Sequence, residues 1–553
     1  MTGVAAIVEG PVTPLLVLIW PLLLAVLAAL PPLRERALAF LPLAAVPALG
    51  LGLQMVVWGP SEPTRVPALL LGTVLAAGRE GALLLAMTGA LWTAAGVYGT
   101  AYLRKTARPA VLTGFWCLTL AGNLGVFLAA DVVTFYVAFA AVSLAAYFLV
   151  VAEGDDRALR AGRIYLVLAV LGEACLLLGF MIGIAGAGSL AIADLRPVLA
   201  EAPLALALLV AGFGVKAGLM PLHVWLPLAH PAAPTPASAV LSGAIVKAGI
   251  IGMILFLPPI ALLVVLGGIT GFAGALLGLT QRHPKAILAY STISQMGLTI
   301  MILGAGGGAA AAFYALHHGL AKGALFLSVG LVAAAGPRWR PAALGLAALA
   351  ALSVAGVPLT GGALAKSVGK AALGKGAQLA LTLSAITTTL VLGWFLLRLR
   401  AGTAVTTEAT RPGLRLILPV LTMVFAAMAA PWLLWAGWSG LPADYPLRWG
   451  IMRDAFWPAA VGIAAGAVAL RLGLRPPALP EGDIVVGGER LVIRLRDRFL
   501  RGLAGSAAPE RPLPRLDPAA AAAARLERAL IRWRFSGTAL ILTLVVLFVA
   551  LAL

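Results

Sequence analysis

The chain has 553 residues, 61% of them hydrophobic and 11% charged, with a mean hydropathy of +1.02. Soluble domains carry about 25% charged and 45–50% apolar residues, so a soluble multidomain enzyme and a disordered chain are both excluded. The 63 Gly and 37 Pro follow no collagen-like period, which excludes a fibre. Forty Lys and Arg stand against 21 Asp and Glu. On a soluble protein that excess would suggest nucleic acid; on a chain this apolar it marks cytoplasmic loops.

A helix needs about 20 apolar residues to cross a bilayer. Apolar runs bounded by charge, Pro or Gly predict sixteen spans, so the fold class is an all-α polytopic membrane protein of about 14–16 transmembrane helices. In chain order the runs lie near 11–30, 38–58, 79–99, 110–129, 131–151, 164–186, 203–222 and 236–256. The others lie near 259–279, 286–304, 309–335, 342–373 (interrupted), 379–398, 412–438, 451–472 and 536–553. Glu9, with no Lys or Arg before the first run, lacks the basic start of a cleaved signal, so that run is expected to stay as a span. The stretch 60–78 reads as a short extracytoplasmic hairpin. Cys117 and Cys175 sit inside apolar runs, as core residues do. Residues 473–535 break the pattern. They are rich in Pro, Ala and Arg, and 489–502 and 518–534 look amphipathic, as helices lying on anionic headgroups do.

Alternate loops differ in basic charge. Arg34, Arg36, Arg104, Lys105, Arg108, Arg157, Arg160 and Arg163 fall on one side. So do Arg282, Lys285, Arg338, Arg340, Arg398, Arg400, Arg411 and Arg415. The other side holds Arg65, Arg79, Arg196, Lys370, Lys375, Arg448 and Arg453. The bias predicts both termini on the outer side and 473–535 on the cytoplasmic side, and the expected location is a bacterial inner (cell) membrane.

Ionisable residues inside spans cost about 2.5–3.5 kcal/mol each at the helix centre and mark polar paths. Glu173, Lys216, Lys247, His318, Lys322 and Lys366 are such residues, and His318 and Lys322, four apart, share a helix face. All five histidines (His223, His230, His283, His317 and His318) fall between the seventh and eleventh runs. Metal binding is not expected, because His317 and His318 point apart and no carboxylate or thiol stands at ligand spacing. No Gly-x-Ser-x-Gly elbow, dinucleotide fingerprint or iron–sulfur cysteine run occurs, so no catalytic centre and no cofactor is expected. Two runs are interrupted by Gly and Pro beside a lysine: Gly212 to Pro227 around Lys216, and Gly356 to Lys366. Such breaks are tolerated where backbone lines a cavity, and matching breaks in two halves point to an inverted-repeat transporter.

The stretch Phe213-Gly-Val-Lys216-Ala-Gly-Leu-Met-Pro-Leu-His223-Val-Trp-Leu-Pro-Leu-Ala-His230-Pro continues into Ser238-Ala-Val-Leu-Ser242-Gly-Ala-Ile-Val-Lys247. Lys285-Ala-Ile-Leu-Ala-Tyr290-Ser-Thr-Ile-Ser294-Gln295-Met-Gly297 and His318-Gly-Leu-Ala-Lys322 follow. Over roughly 90–400 the chain resembles the antiporter-like membrane subunits shared by respiratory complex I, group 4 membrane-bound hydrogenases and Mrp-type cation/proton antiporters. The wording around His230 leans toward the hydrogenase and Mrp branches.

The resemblance implies two inverted five-helix repeats, at 110–258 and 259–400, flanked by N-terminal helices (1–109) and C-terminal helices (401–472). It implies roles in the ion path for Lys216, Lys247, His318, Lys322 and Lys366, and the expected proton or ion pathway comprises these together with Glu173, His223 and His230. It also implies partnership with other membrane subunits, including other antiporter-like ones. Two departures stand out. The family's fifth-span glutamate is replaced by Ala140, while the sixth span carries Glu173; and Leu228 stands where complex I versions carry aspartate. The expected function is proton translocation within a larger complex. The alternatives are an Mrp-type Na+/H+ antiporter subunit, a proton-gradient coupling subunit for inorganic-carbon uptake, and a scaffold that has lost transport.

Overall fold

Proline and side-chain caps set where many helices begin. In the computed structural model, which describes residues 8–104, 108–402, 411–474, 476–482 and 486, Pro109, Pro203 and Pro284 open helices at the position where a missing N–H costs nothing. Asp131 caps the fifth span by accepting from Thr134 N at 2.7 Å and also holds Val74 N at 2.8 Å. Asp155 caps the sixth by accepting from Ala158 N at 2.7 Å.

The chain begins with α1 (Thr13–Ala29), short 3₁₀ turns over 31–45 and α2 (Val46–Trp58). Two three-residue strands, Thr64–Val66 and Thr73–Leu75, lie in the predicted hairpin region. Then come α3 (Arg79–Tyr102), α4 (Pro109–Leu128), α5 (Val132–Val150) and α6 (Asp156–Ala187). The short α7 (Ile192–Ala200) turns by 118° into α8 (Pro203–Ala217). Next are α9 (Trp225–Ala232), α10 (Thr235–Val240) and α11 (Lys247–Phe256), with a π turn at Leu241–Ile245 between the last two. α12 (Ala261–Leu279), α13 (Pro284–Gly304), α14 (Gly308–Ala334), α15 (Arg340–Ala355) and α16 (Gly361–Ala371) follow. α17 (Lys375–Gly402), α18 (Leu414–Leu433), α19 (Trp435–Trp438) and α20 (Trp449–Arg471) complete the described helices.

Among the described residues, eleven helices are long and apolar enough to span a membrane, and up to thirteen spans result if each of two bent pairs counts as one; α1 and α15 are shorter apolar helices. Fifteen of the sixteen predicted runs thus contain described helix. The sixteenth, 536–553, and both amphipathic stretches of 473–535 lie outside the described residues.

Gly10–Thr64 and Val74–Asp483 form one folded unit. Its centre is α13 and α14, buried nearly all round, while α6 and α12 expose rows of large apolar residues (Val167, Leu171 and Leu178; Val265, Ile269 and Leu276) suited to lipid. α12 lies directly on α13. A Cβ at Gly297 would fall 2.5 Å from Gly271 N, and one at Gly267 would fall 2.5 Å from Met301 N, so only glycine permits this approach. In the other unit, Glu9 and Arg65 exchange two backbone hydrogen bonds of 2.8 Å.

Candidate ion-pathway site

Both predicted interruptions are helix breaks closed by glycines in the left-handed region. Gly218 (φ +78°) ends α8 two residues after Lys216, and Gly356 (φ +84°) ends α15 before the turn into α16, which carries Lys366. The first break delivers His223 and His230 to the interior, where both are fully buried.

Glu173 and Lys216 occupy facing positions on α6 and α8, and their charges act on each other. No direct ion pair joins them among the described residues. Instead Glu173 Oε1 accepts from Ser143 Oγ at 2.5 Å, and its Oε2 has no protein partner. Ser143 lies on α5 one turn after Ala140, so the carboxylate is carried by α6 yet anchored to the helix that lacks it. Tyr165 Oη donates to the Ser143 carbonyl at 2.8 Å. The Lys216 ammonium lies 5.4 Å from the Phe139 ring centre and 5.7 Å from that of Tyr165, a weakly polar seat for a cation. Phe135, Phe139, Phe180, Phe213 and Phe256 pack mostly edge to face beside it.

Lys247 follows the π turn, a feature frequent at functional sites. Within that widened turn the Ser242 carbonyl accepts from Lys247 Nζ at 2.8 Å, and Lys247 Nζ lies 2.7 Å from His318 Nδ1. His318 Nε2 has no protein partner. Lys322, one turn on, donates to the Leu288 carbonyl at 3.1 Å. His230 stacks on Phe326, with ring centres 4.6 Å apart and neither ring nitrogen bonded to protein. His230 feels the charges of Lys285, Lys322 and Lys247, and His223 lies beside Tyr290 at 6.2 Å. Beyond the centre, His317 Nε2 meets Ser353 Oγ at 2.8 Å and Lys366 Nζ donates to the Ala355 carbonyl at 2.8 Å.

The structure brings His230, Lys247, His318 and Lys322 into one buried cluster, with Glu173 and Lys216 as a separate pair and Lys366 beyond His317. Three residues join them that the sequence reading left out of the path. Ser143 was an ordinary hydroxyl on an apolar helix. Lys285 was counted as a loop charge, yet it is buried and donates to the Ala233 carbonyl at 2.7 Å. Gln295, inside a quoted motif, accepts from Tyr314 Oη at 2.7 Å and donates to Thr388 Oγ1 at 3.1 Å. Among the described residues, no group of three or more His, Cys, Asp or Glu could hold a metal ion.

Several of the basic residues at helix ends bond to one another's backbone or to residues 476–481. Arg157 makes a bidentate contact with Glu481 at 2.7 and 3.0 Å, and Arg282 Nη2 donates to the Pro476 carbonyl at 2.8 Å. Arg398 Nε donates to the Arg282 carbonyl at 3.1 Å, and Arg340 Nη2 to the Arg400 carbonyl at 2.6 Å. At this end, burial, Arg157 and Lys285 hold His283 down at about 4.

Residues 129–393 match the family described as NADH:quinone oxidoreductase/Mrp antiporter, transmembrane. Hydrogenase-4 component B of Escherichia coli is 33% identical over 268 residues, 43% of this chain and 40% of that protein. NADH-quinone oxidoreductase subunit N of Desulforudis audaxviator is 33% identical over 312 residues, 49% of this chain and 61% of that one. The matched region thus spans about half the length of these curated relatives. In the solved Mrp complex from a Dietzia species, one chain superposes with a TM-score of 0.67 at 20% identity, covering 84% of this chain and 98% of that one, a likeness of fold. Over residues 129–393, just under half of its length, the chain is therefore similar to the membrane subunits of the NADH:quinone oxidoreductase/Mrp antiporter family.

Proposed function

We propose that this chain is a proton-translocating subunit of a larger complex in a bacterial cell membrane, surrounded by other membrane subunits. The observation that carries the reading is the 2.7 Å contact between Lys247 Nζ and His318 Nδ1, with both groups fully buried. A hydrogen bond this short needs one proton between the two nitrogens. Imidazole accepts at one nitrogen and releases from the other. A proton handed from Lys247 to Nδ1 frees the one on Nε2, which faces no protein acceptor and so passes to water or to a moved neighbour. Glu173, Lys216, His223, His230, Lys322 and Lys366 extend the same chemistry to either side of this step. A change in charge at any of them alters the cost of the next transfer, because low-dielectric surroundings lengthen electrostatic reach. The path itself needs no resident metal or cofactor; partner subunits supply the driving force.

We further place the arginine-rich end inside and the Lys370 and Arg448 end outside, supported by the bonds that join Arg157 to Glu481, Arg282 to Pro476, Arg398 to Arg282 and Arg340 to Arg400 and by the positive-inside bias. Lys247→Met keeps the aliphatic stem and removes the proton site. In vesicles holding the whole complex, it should lower proton translocation at least tenfold while assembly is retained. A wild-type rate would overturn the reading.

A further inference from the structure

α17 runs 28 residues, about 42 Å at 1.5 Å per residue. Its Arg398 and Arg400 end joins the arginine-rich loops. At its opposite end, a cavity of about 390 Å³ opens between α16, α17 and α20. Lys366 lies at its buried inner end, Lys370 and Ser367 stand on the same helix, and Gln378 and Thr382 on α17 add polar wall. Gln378 Nε2 donates to the Lys370 and Leu373 carbonyls at 3.0 and 2.8 Å, which leaves the Lys370 side chain to the cavity. The exposed Lys375 and Asp454 sit at its outer rim, and Tyr445 closes one side. Asp454 acts electrostatically on Lys370, and its other charged neighbour is the exposed Arg453 at 3.4 Å. A space of this size holds on the order of ten waters. Asp454 belongs to α20, which lies outside the matched residues 129–393.

We propose that this cavity is a proton port that excludes metal cations, with Asp454 as the surface group that exchanges protons with bulk water. The inference rests on the proposed ion pathway and names what passes at one end of it. Three lysines against one carboxylate make the lining net positive. The lysine ammonium groups offer a sodium ion no ligand atom, whereas Asp454 and a deprotonated Lys366 each bond a proton, which offsets the cost of bringing its charge into that field. Asp454 takes the proton at the rim, cavity water carries it inward, and Lys366 Nζ receives it when its own proton has moved on; the reverse order discharges protons to the same side. Lys370 stands between them as the fixed positive charge that repels metal cations.

The test uses the intact complex in membrane vesicles, in a Cys117→Ala/Cys175→Ala background. Ser367→Cys and, as a second variant, Thr382→Cys should react with water-soluble thiol reagents from one face only. The anionic reagent should be faster than the cationic one by about tenfold, in keeping with local potentials of several kT, and Lys370→Glu should reverse the preference. Asp454→Asn should slow proton translocation about fivefold at neutral pH, the loss shrinking as external pH falls and protons become abundant. Equal labelling by both reagents, or no labelling at either position, overturns the port. So does wild-type proton translocation by Asp454→Asn. Failure of Lys247→Met to stop proton movement would instead strike the pathway reading, and labelling of the cavity does not depend on that result.

Discussion

Glu173 tests whether a carboxylate on α6 can do the work of the one that the resemblance leads one to expect at Ala140 on α5. Glu173→Gln keeps the shape and the acceptor for Ser143 Oγ but removes the charge facing Lys216. Two unit charges about 4 Å apart attract by about 4 kcal/mol at an effective dielectric of about 20. Glu173 and Lys216 do not close to direct contact, so about half of that, roughly 2 kcal/mol, is a fair measure of their coupling. That corresponds to about a 30-fold change in the population of the charged Lys216. If Lys216 must cycle between its two forms, proton translocation by Glu173→Gln should fall by about that factor in vesicles containing the complex. Lys216→Met should fall as far, and the double variant little further, because members of one coupled unit are not additive. Ser143→Ala should give a smaller loss, since a hydrogen bond to a charged group contributes about 1.5–3 kcal/mol and water can replace part of it. Ala140→Glu placed in the Glu173→Gln background should recover activity, because positions 140 and 143 share one face of α5. Full additivity of Glu173→Gln with Lys216→Met, or a wild-type rate for Glu173→Gln alone, would refute the pairing.

His283 is held at about 4, below its ordinary value near 6.5. A histidine lowered on folding contributes stability that is present above about pH 6.5 and is lost as pH falls toward 4. His283→Asn keeps an acceptor at the start of α13 and abolishes the titration, so the fall in Tm of the detergent-solubilised protein between pH 6.5 and 4 should be shallower than in wild type; an unchanged slope would remove His283 from the account. Reporter fusions after Arg163 and after Lys285 should both read as cytoplasmic, and one after Gly440 as extracytoplasmic; any other pattern contradicts the assigned orientation.

The spans were legible because they rest on one property, apolar length, which survives in the order of residues. The breaks at Gly218 and Gly356 were legible for a similar reason: glycine and proline beside a buried lysine leave few other readings. Lys247, His318 and Lys322 stood out because a charge inside lipid is costly enough to need a purpose. The same reasoning misplaced Lys285 and Lys370, since a lysine next to a loop is assigned to water by default. Whether its stem turns outward or back into the protein is a tertiary matter: Lys285 turns back to the Ala233 carbonyl, which the break between α9 and α10 leaves open. Ser143 was silent for the opposite reason, being a common residue whose role depends wholly on a carboxylate 30 positions away. Asp454 was read as part of an ordinary span start, and only the packing of α20 against α17 brings it to the rim above Lys366. Sequence thus exposes groups that are expensive where they stand, while groups that are cheap alone become visible only when folding places them against an expensive one. By that logic the cavity lined by Lys366, Lys370, Lys375 and Asp454, proposed as one end of the pathway, carries the least sequence signal, because lysines beside a loop and a lone aspartate are cheap to place in water.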